Sequence, residues 1–187
     1  MMYGNERDIL LRLLVELSYV EGEVLLASGK KSTFYVDCRK TALTSEGHYL
    51  IGKIMLSLIR EHFPEAEAVG GVALGGCSLA SSVSLISHID LYPLDAFYLR
   101  KEAKSHGMGK ILEGNIPPGT KCVLVEDVVT SGASTLDAIQ KAENEGIEVI
   151  GVVVLVDREE QHGMAKIAQK VPVIQVFKKS DILAAIK

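Results

Sequence analysis

The chain has 187 residues, is 48% hydrophobic and carries a formal net charge of −4. That length and apolar share suit one domain over residues 1–187, built on one sizeable core, and the acidic balance argues against a nucleic-acid partner, which calls for a basic face or stripe. Cys38, Cys77 and Cys122 lie far apart with no CxxC pair and read as buried reduced thiols, which implies a cytoplasmic location.

The opening stretch MMYGNERDILLRLLVEL is interrupted by Arg12 and Glu16 and is followed by no small-residue cleavage site, so it is not a secretory signal. Its Ile9, Leu10, Leu13, Leu14 and Leu17 recur at helical spacing and predict a helix over 6–20. STFYVDCR (32–39) reads as a strand. Ser45 can cap a helix whose Ile51, Ile54, Met55, Leu58 and Ile59 share a face and which ends before Pro64.

From there strands and helices alternate. Strands are expected at 68–74, 93–99, 121–127, 148–157 and 171–177, and helices at 78–87, 134–145, 159–170 and the C-terminus, with Gly146 stopping the second of these helices. The pattern predicts an α/β fold with a mainly parallel central sheet flanked by helices. KCVLVED (121–127) is apolar without alternation, as a strand covered on both faces should be. The longest apolar block, VIGVVVLV (149–156), is too short to cross a bilayer, and no membrane association is expected. Residues 100–120 show no periodicity, and a loop of that length inside a compact domain is functional or disordered.

VLVEDVVTSGAST (123–135) sets Glu126 and Asp127 at a strand end and a hydroxyl-rich turn after them. In open α/β sheets, ligands bind beyond the carboxyl ends of the strands. Gly132 would let backbone approach a ligand, and the amides that open the next helix favour an anion such as a phosphate monoester. Two carboxylates would repel a bare phosphate. A ribose resolves the conflict: its hydroxyls can donate to the acids while its 5-phosphate rests in the turn. The plain alternative is an ordinary helix N-cap, and the turn alone leaves both readings open. It is neither a GxxxxGK[ST] loop nor a GxGxxG turn. In RKEAKSHG, Arg100, Lys101, Lys104 and His106 are either solvated surface or cations that enclose a pyrophosphate leaving group, with Gly107 and Gly109 allowing closure.

The 123–135 stretch resembles the phosphoribosyl-pyrophosphate (PRPP) motif of type I phosphoribosyltransferases. RKEAKSHGMGKILEG is similar to the mobile catalytic loop of the orotate phosphoribosyltransferase family, and LLASGKKSTFYVDCR resembles that family's SG-x-x-S-x-x-Y-x-D-x-R segment. GGVALGGCSLASSVS and LVDRE match in the same order.

The resemblance implies the type I fold with a small N-terminal hood, to which about residues 1–40 contribute, and a mobile loop over 100–118. It implies transfer of the phosphoribosyl group from PRPP to orotate, giving orotidine 5'-monophosphate and pyrophosphate in pyrimidine biosynthesis. Mg2+ would be held mainly by PRPP, with no dedicated protein ligands, and a homodimer would share loop 100–109 across its interface.

By the same resemblance, Lys104, Asp127 and His106 are catalytic. Arg100, Lys101, Lys104, His106, Glu126, Asp127, Val128, Val129, Thr130, Ser131, Gly132, Ala133 and Ser134 bind PRPP, with Gly75 and Gly76. Thr130 and Arg158 meet orotate, the Arg158 fork suiting the base's carboxylate. Asp37 and Arg39 pair or shape the base pocket, and Phe34 and Tyr35 line that pocket or fill the core. The chain departs from its relatives at Ala27 and Gly75, where some carry lysine. It departs again in DREEQHGMAK, where Gly163 stands displaced from the usual pair of glycines. Two other functions fit part of the pattern: a type I transferase for another base, and a non-catalytic PRPP-sensing regulator, which would need a DNA-binding face.

Overall fold

Apolar side chains fill both faces of the central strands, with Val123, Leu124, Val125 and every residue of 152–156 fully buried. Such runs belong in a sheet layered between helices. The computed structural model describes residues 4–22, 24–25, 31–32, 34–102 and 111–186.

Helix α1 (Gly4–Leu13) continues into a π-helical turn, Leu14–Ser18, as the 6–20 spacing predicts. Four two-residue strands follow: β1 (Tyr19–Val20), β2 (Val24–Leu25), β3 (Lys31–Ser32) and β4 (Tyr35–Val36). They pair antiparallel as β1 with β4 and β2 with β3. The single strand expected over 32–39 is therefore corrected. The Arg39 amide, Nε and Nη2 all donate to the Asp37 carboxylate, at 3.3, 2.7 and 2.9 Å. These bonds turn the chain into helix α2 (Arg39–Ala42).

Helix α3 (Ser45–His62) is capped one residue earlier than expected, by Thr44, whose Oγ1 accepts the Gly47 amide at 3.0 Å. Next come β5 (Ala68–Val72), α4 (Gly75–Ile89), β6 (Asp95–Leu99) and β7 (Leu112–Glu113). The C-terminal half contains β8 (Lys121–Val129), α5 (Ala133–Asn144) and β9 (Glu148–Asp157). It ends in α6 (Gly163–Ala168), β10 (Val173–Lys178) and α7 (Lys179–Ala185). Helix α6 starts later than expected because Glu159, Gln161 and His162 have φ of 54°, 53° and 56°, outside the right-handed helical region.

The main sheet runs β10-β9-β8-β5-β6-β7, parallel except for the edge pair β6–β7. Its strands sort their side chains by alternation. Val123, Val125, Val153 and Leu155 meet Leu10, Ile51, Met55, Ile59, Leu79 and Val83 of α1, α3 and α4. Leu124, Val152 and Val154 meet Ala138, Ile139, Ala142 and Ile167 of α5 and α6. Each fully buried Val, Leu or Ile contributes about 1.5–3 kcal/mol, so the two-sided covering fixes the register of β8. That register delivers residues 126–130 to the carboxyl edge of the sheet.

Candidate active site

Period-two alternation sends the two acids at the end of β8 to different neighbours. Glu126 turns toward α5 and is 5% exposed. Its Oε2 accepts Thr135 Oγ1 at 3.1 Å and Ser134 Oγ at 3.4 Å. Burial, and then the charge of Asp127, push its carboxyl up from 4.5 to about 8, against the opposing pull of the two hydroxyls. Asp127 faces the start of α4, and its Oδ1 accepts the Val128 amide at 3.0 Å. A Cβ on Gly75 would lie 2.1 Å from Asp127 Oδ2, so the carboxylate fills the space that a side chain at 75 would need.

The turn after β8 starts α5 at Gly132, which has φ 77° and takes the cap position with no side chain to accept an amide. The nearby hydroxyls do not replace it: Ser134 and Thr135 point to Glu126, and Ser131 Oγ accepts only the Ala133 amide, at 3.4 Å. The helix therefore starts without an ordinary side-chain N-cap at residue 132. The displaced Gly163 has a role in this turn. A Cβ there would lie 2.5 Å from Thr130 O, so α6 can back directly onto the turn.

A cavity of about 370 Å³ lies over these groups, lined by Glu126, Asp127, Val128, Thr130 and Ser134 together with Gly75. Arg158, Lys101, Tyr35, Asp37 and Arg39 line it from other elements. The Asp37–Arg39 pair holds the Asp37 carboxyl below the usual range, first through the Arg39 hydrogen bond. Phe34 is buried in the core, while Tyr35 lines the cavity.

Other expected site residues fall elsewhere. Arg100 Nη1 lies 3.2 Å from Glu113 Oε1, and Arg100 lines a neighbouring hollow with Leu74 and Tyr98. Gly76 packs on Val125 O, the Val129 side chain is in the core, and Ser131, Gly132 and Ala133 complete the turn beside the cavity. Lys104, His106, Gly107 and Gly109 lie outside the described residues, as does Ala27. Among the described residues, no cluster of three His, Cys, Asp or Glu could hold a metal.

Two contributors went unseen in the sequence. Lys141 Nζ donates to the carbonyls of Arg100 and Lys101 at 3.4 and 2.7 Å and so tethers the stem that carries Lys101. Glu160 lies 3.2 Å from Arg158 Nη2. Each sits in a charged run that looks like solvated surface, and only tertiary contacts reveal it.

Arg158 is 7% exposed and also donates from Nη2 to Phe34 O at 3.0 Å. The cavity thus brings the Glu126–Asp127 pair and the glycine-started turn together with the Arg158 guanidinium and Lys101. An anionic sugar carrying an acidic planar base matches that distribution of charge.

Comparison with known proteins agrees. Residues 47–180 match the phosphoribosyl transferase domain family. The chain is 44% identical over 182 residues to an orotate phosphoribosyltransferase of Sorangium cellulosum, covering 96% of this chain and 94% of that one. It is 41% identical over 182 residues to an orotate phosphoribosyltransferase of Aquifex aeolicus, covering 95% and 98%. The crystal structure of Mycobacterium tuberculosis orotate phosphoribosyltransferase in complex with PRPP superposes with a TM-score of 0.78 at 32% identity, covering 95% of this chain and 98% of that one.

Proposed function

Because the chain belongs to the orotate phosphoribosyltransferase family, it transfers the 5-phosphoribosyl group of PRPP to orotate in pyrimidine biosynthesis, and we propose that the cavity at the end of β8 carries the reaction. One observation supports this most: Glu126 and Asp127 share that cavity with Arg158 and Lys101, beside a turn whose helix starts at a glycine.

In this reading the ribose hydroxyls donate to Glu126 and Asp127, and the 5-phosphate sits on the amides and hydroxyls of the 130–134 turn. Thr130 and Arg158 hold orotate, the guanidinium facing its carboxylate. Orotate supplies the attacking nitrogen, so no protein nucleophile is needed. The protein positions the reactants and stabilises the charge that grows on the pyrophosphate. Lys101 contributes from the described residues, and Arg100, Lys104 and His106 join it by resemblance to the family. Gly75 and Gly76 bring main chain toward the pyrophosphate.

Mg2+ belongs to this proposal. The hard carboxylate oxygens of Glu126 and Asp127, with no nitrogen or sulfur cluster beside them among the described residues, fit a cation that keeps phosphate and water oxygens as ligands. PRPP would hold it mainly, with Asp127 beside the ribose hydroxyls, and the cation would supply neutralising charge to the diphosphate. A homodimer sharing the 100–109 loop is also proposed, supported by Leu43, Leu74, Leu85, Ile89 and Leu91, all exposed and apolar. A cytoplasmic location rests on three cysteines without a disulfide. No helix among the described residues is long and apolar enough to cross a membrane.

A base panel with PRPP and Mg2+ tests the assignment. Orotate should be consumed and hypoxanthine and adenine left untouched. Turnover of a purine with orotate inert would overturn it.

A further inference from the structure

A cation as buried as Arg158, 7% exposed, needs a counter-charge held in a fixed place. Glu160 supplies it, with Oε2 at 3.2 Å and Oε1 at 3.3 Å from Arg158 Nη2. Glu160 is itself held: its Oε1 lies 3.0 Å from Nζ of Lys179, the first residue of α7. Phe34 closes the group. Its carbonyl accepts Nη2, and its ring has Arg158 Cζ 5.8 Å and Lys179 Nζ 5.3 Å from its centroid.

The backbone is bent to make this arrangement. Glu159, Gln161 and His162, on both sides of Glu160, occupy the left-handed region that side chains rarely adopt. The Glu159 amide donates to Asp157 Oδ1 at 2.8 Å, and Glu159 Oε2 accepts the Ser180 amide at 2.8 Å. The turn is therefore stitched to the start of α7 at both Lys179 and Ser180. Backbone outliers concentrated beside a binding cation point to a functional constraint on that segment.

We propose that Glu160 is a positioning residue for base recognition, holding Arg158 by one nitrogen while Lys179 holds Glu160. The inference rests on the reading that Arg158 meets the orotate carboxylate. Arg158 and Glu160 alone sum to zero, and Lys179 sets a second cation against the same carboxylate. An incoming carboxylate then meets a guanidinium held in a fixed place.

Steady-state kinetics of E160A, E160Q, K179M and R158Q, with both substrates varied, test the proposal. E160A should raise the orotate KM about tenfold while the PRPP KM moves less than about twofold, because only binding at the base end is lost. E160Q keeps an acceptor without the charge and should show a smaller rise, as should K179M with Glu160 intact. A loose fold would move both constants together, so thermal melting is recorded on each variant. If R158Q raises the orotate KM while E160A and E160Q leave it unchanged, or move both KM values equally, the positioning role is overturned and the Arg158 reading survives. If R158Q leaves the orotate KM unchanged, that reading fails as well.

Discussion

Gly75 and Asp127 occupy one another's space: the Cβ that Gly75 lacks would sit 2.1 Å from Oδ2 and 2.3 Å from Cγ of the carboxyl. A side chain at 75 requires the Asp127 carboxyl to shift from the place in which it is proposed to meet the ribose hydroxyls. Gly75→Ala should therefore raise the PRPP KM and lower kcat, by about tenfold or more in kcat/KM, with little change in melting temperature. Unchanged kinetics would show that the position of Asp127 does not matter.

Glu126 predicts a pH dependence of stability. Its carboxyl titrates at about 8 in the folded chain against 4.5 ordinarily, chiefly through burial. Below 4.5 both folded and unfolded chains hold the proton, and the contribution of the neutral group is fully present. As pH rises toward 8 only the folded chain keeps the proton, so stability falls through that window. Denaturant midpoints of the ligand-free protein should decline between those pH values, and Glu126→Gln should flatten the decline. An identical slope in the variant would contradict the assignment.

The stem of the basic loop is tied to α5 through Lys141, which also lies 2.6 Å from Asp137. Lys141→Met should lower kcat several-fold by releasing the main chain at Lys101, while costing no more than about 1 kcal/mol of stability, as for other partly exposed pairs. Stopped-flow single turnovers would separate this from a slower product release; an unaltered kcat means the tether has no catalytic consequence.

Lys104 carries the family's leaving-group chemistry by resemblance. Lys104→Ala should lose about 10²–10³ in kcat, the size seen when one preorganised charge is removed from a transition state. The circular dichroism spectrum should be retained. Full turnover would remove Lys104 from the proposed machinery.

The central sheet was readable because burial on both faces demands unbroken apolar runs, and 121–127 and 148–157 are such runs. The cavity was readable in part because Glu126, Asp127 and the turn that follows are local in sequence. The break of the 32–39 strand was not readable, since the Asp37–Arg39 fork, rather than any periodicity, ends it. Strand β7 spans two residues, too few for alternation to register. Glu160 stands in a run of acids indistinguishable from a solvated face, and only the fold brings Lys179 to it across nineteen residues.

A crystal structure with orotidine 5'-monophosphate bound measures the central claim directly. The 5-phosphate should lie on the amides of residues 130–134, with both ribose hydroxyls on Glu126 and Asp127 and the base carboxylate on Arg158. A nucleotide bound elsewhere, with the turn closed by Ser131 or the acids turned inward, would contradict it.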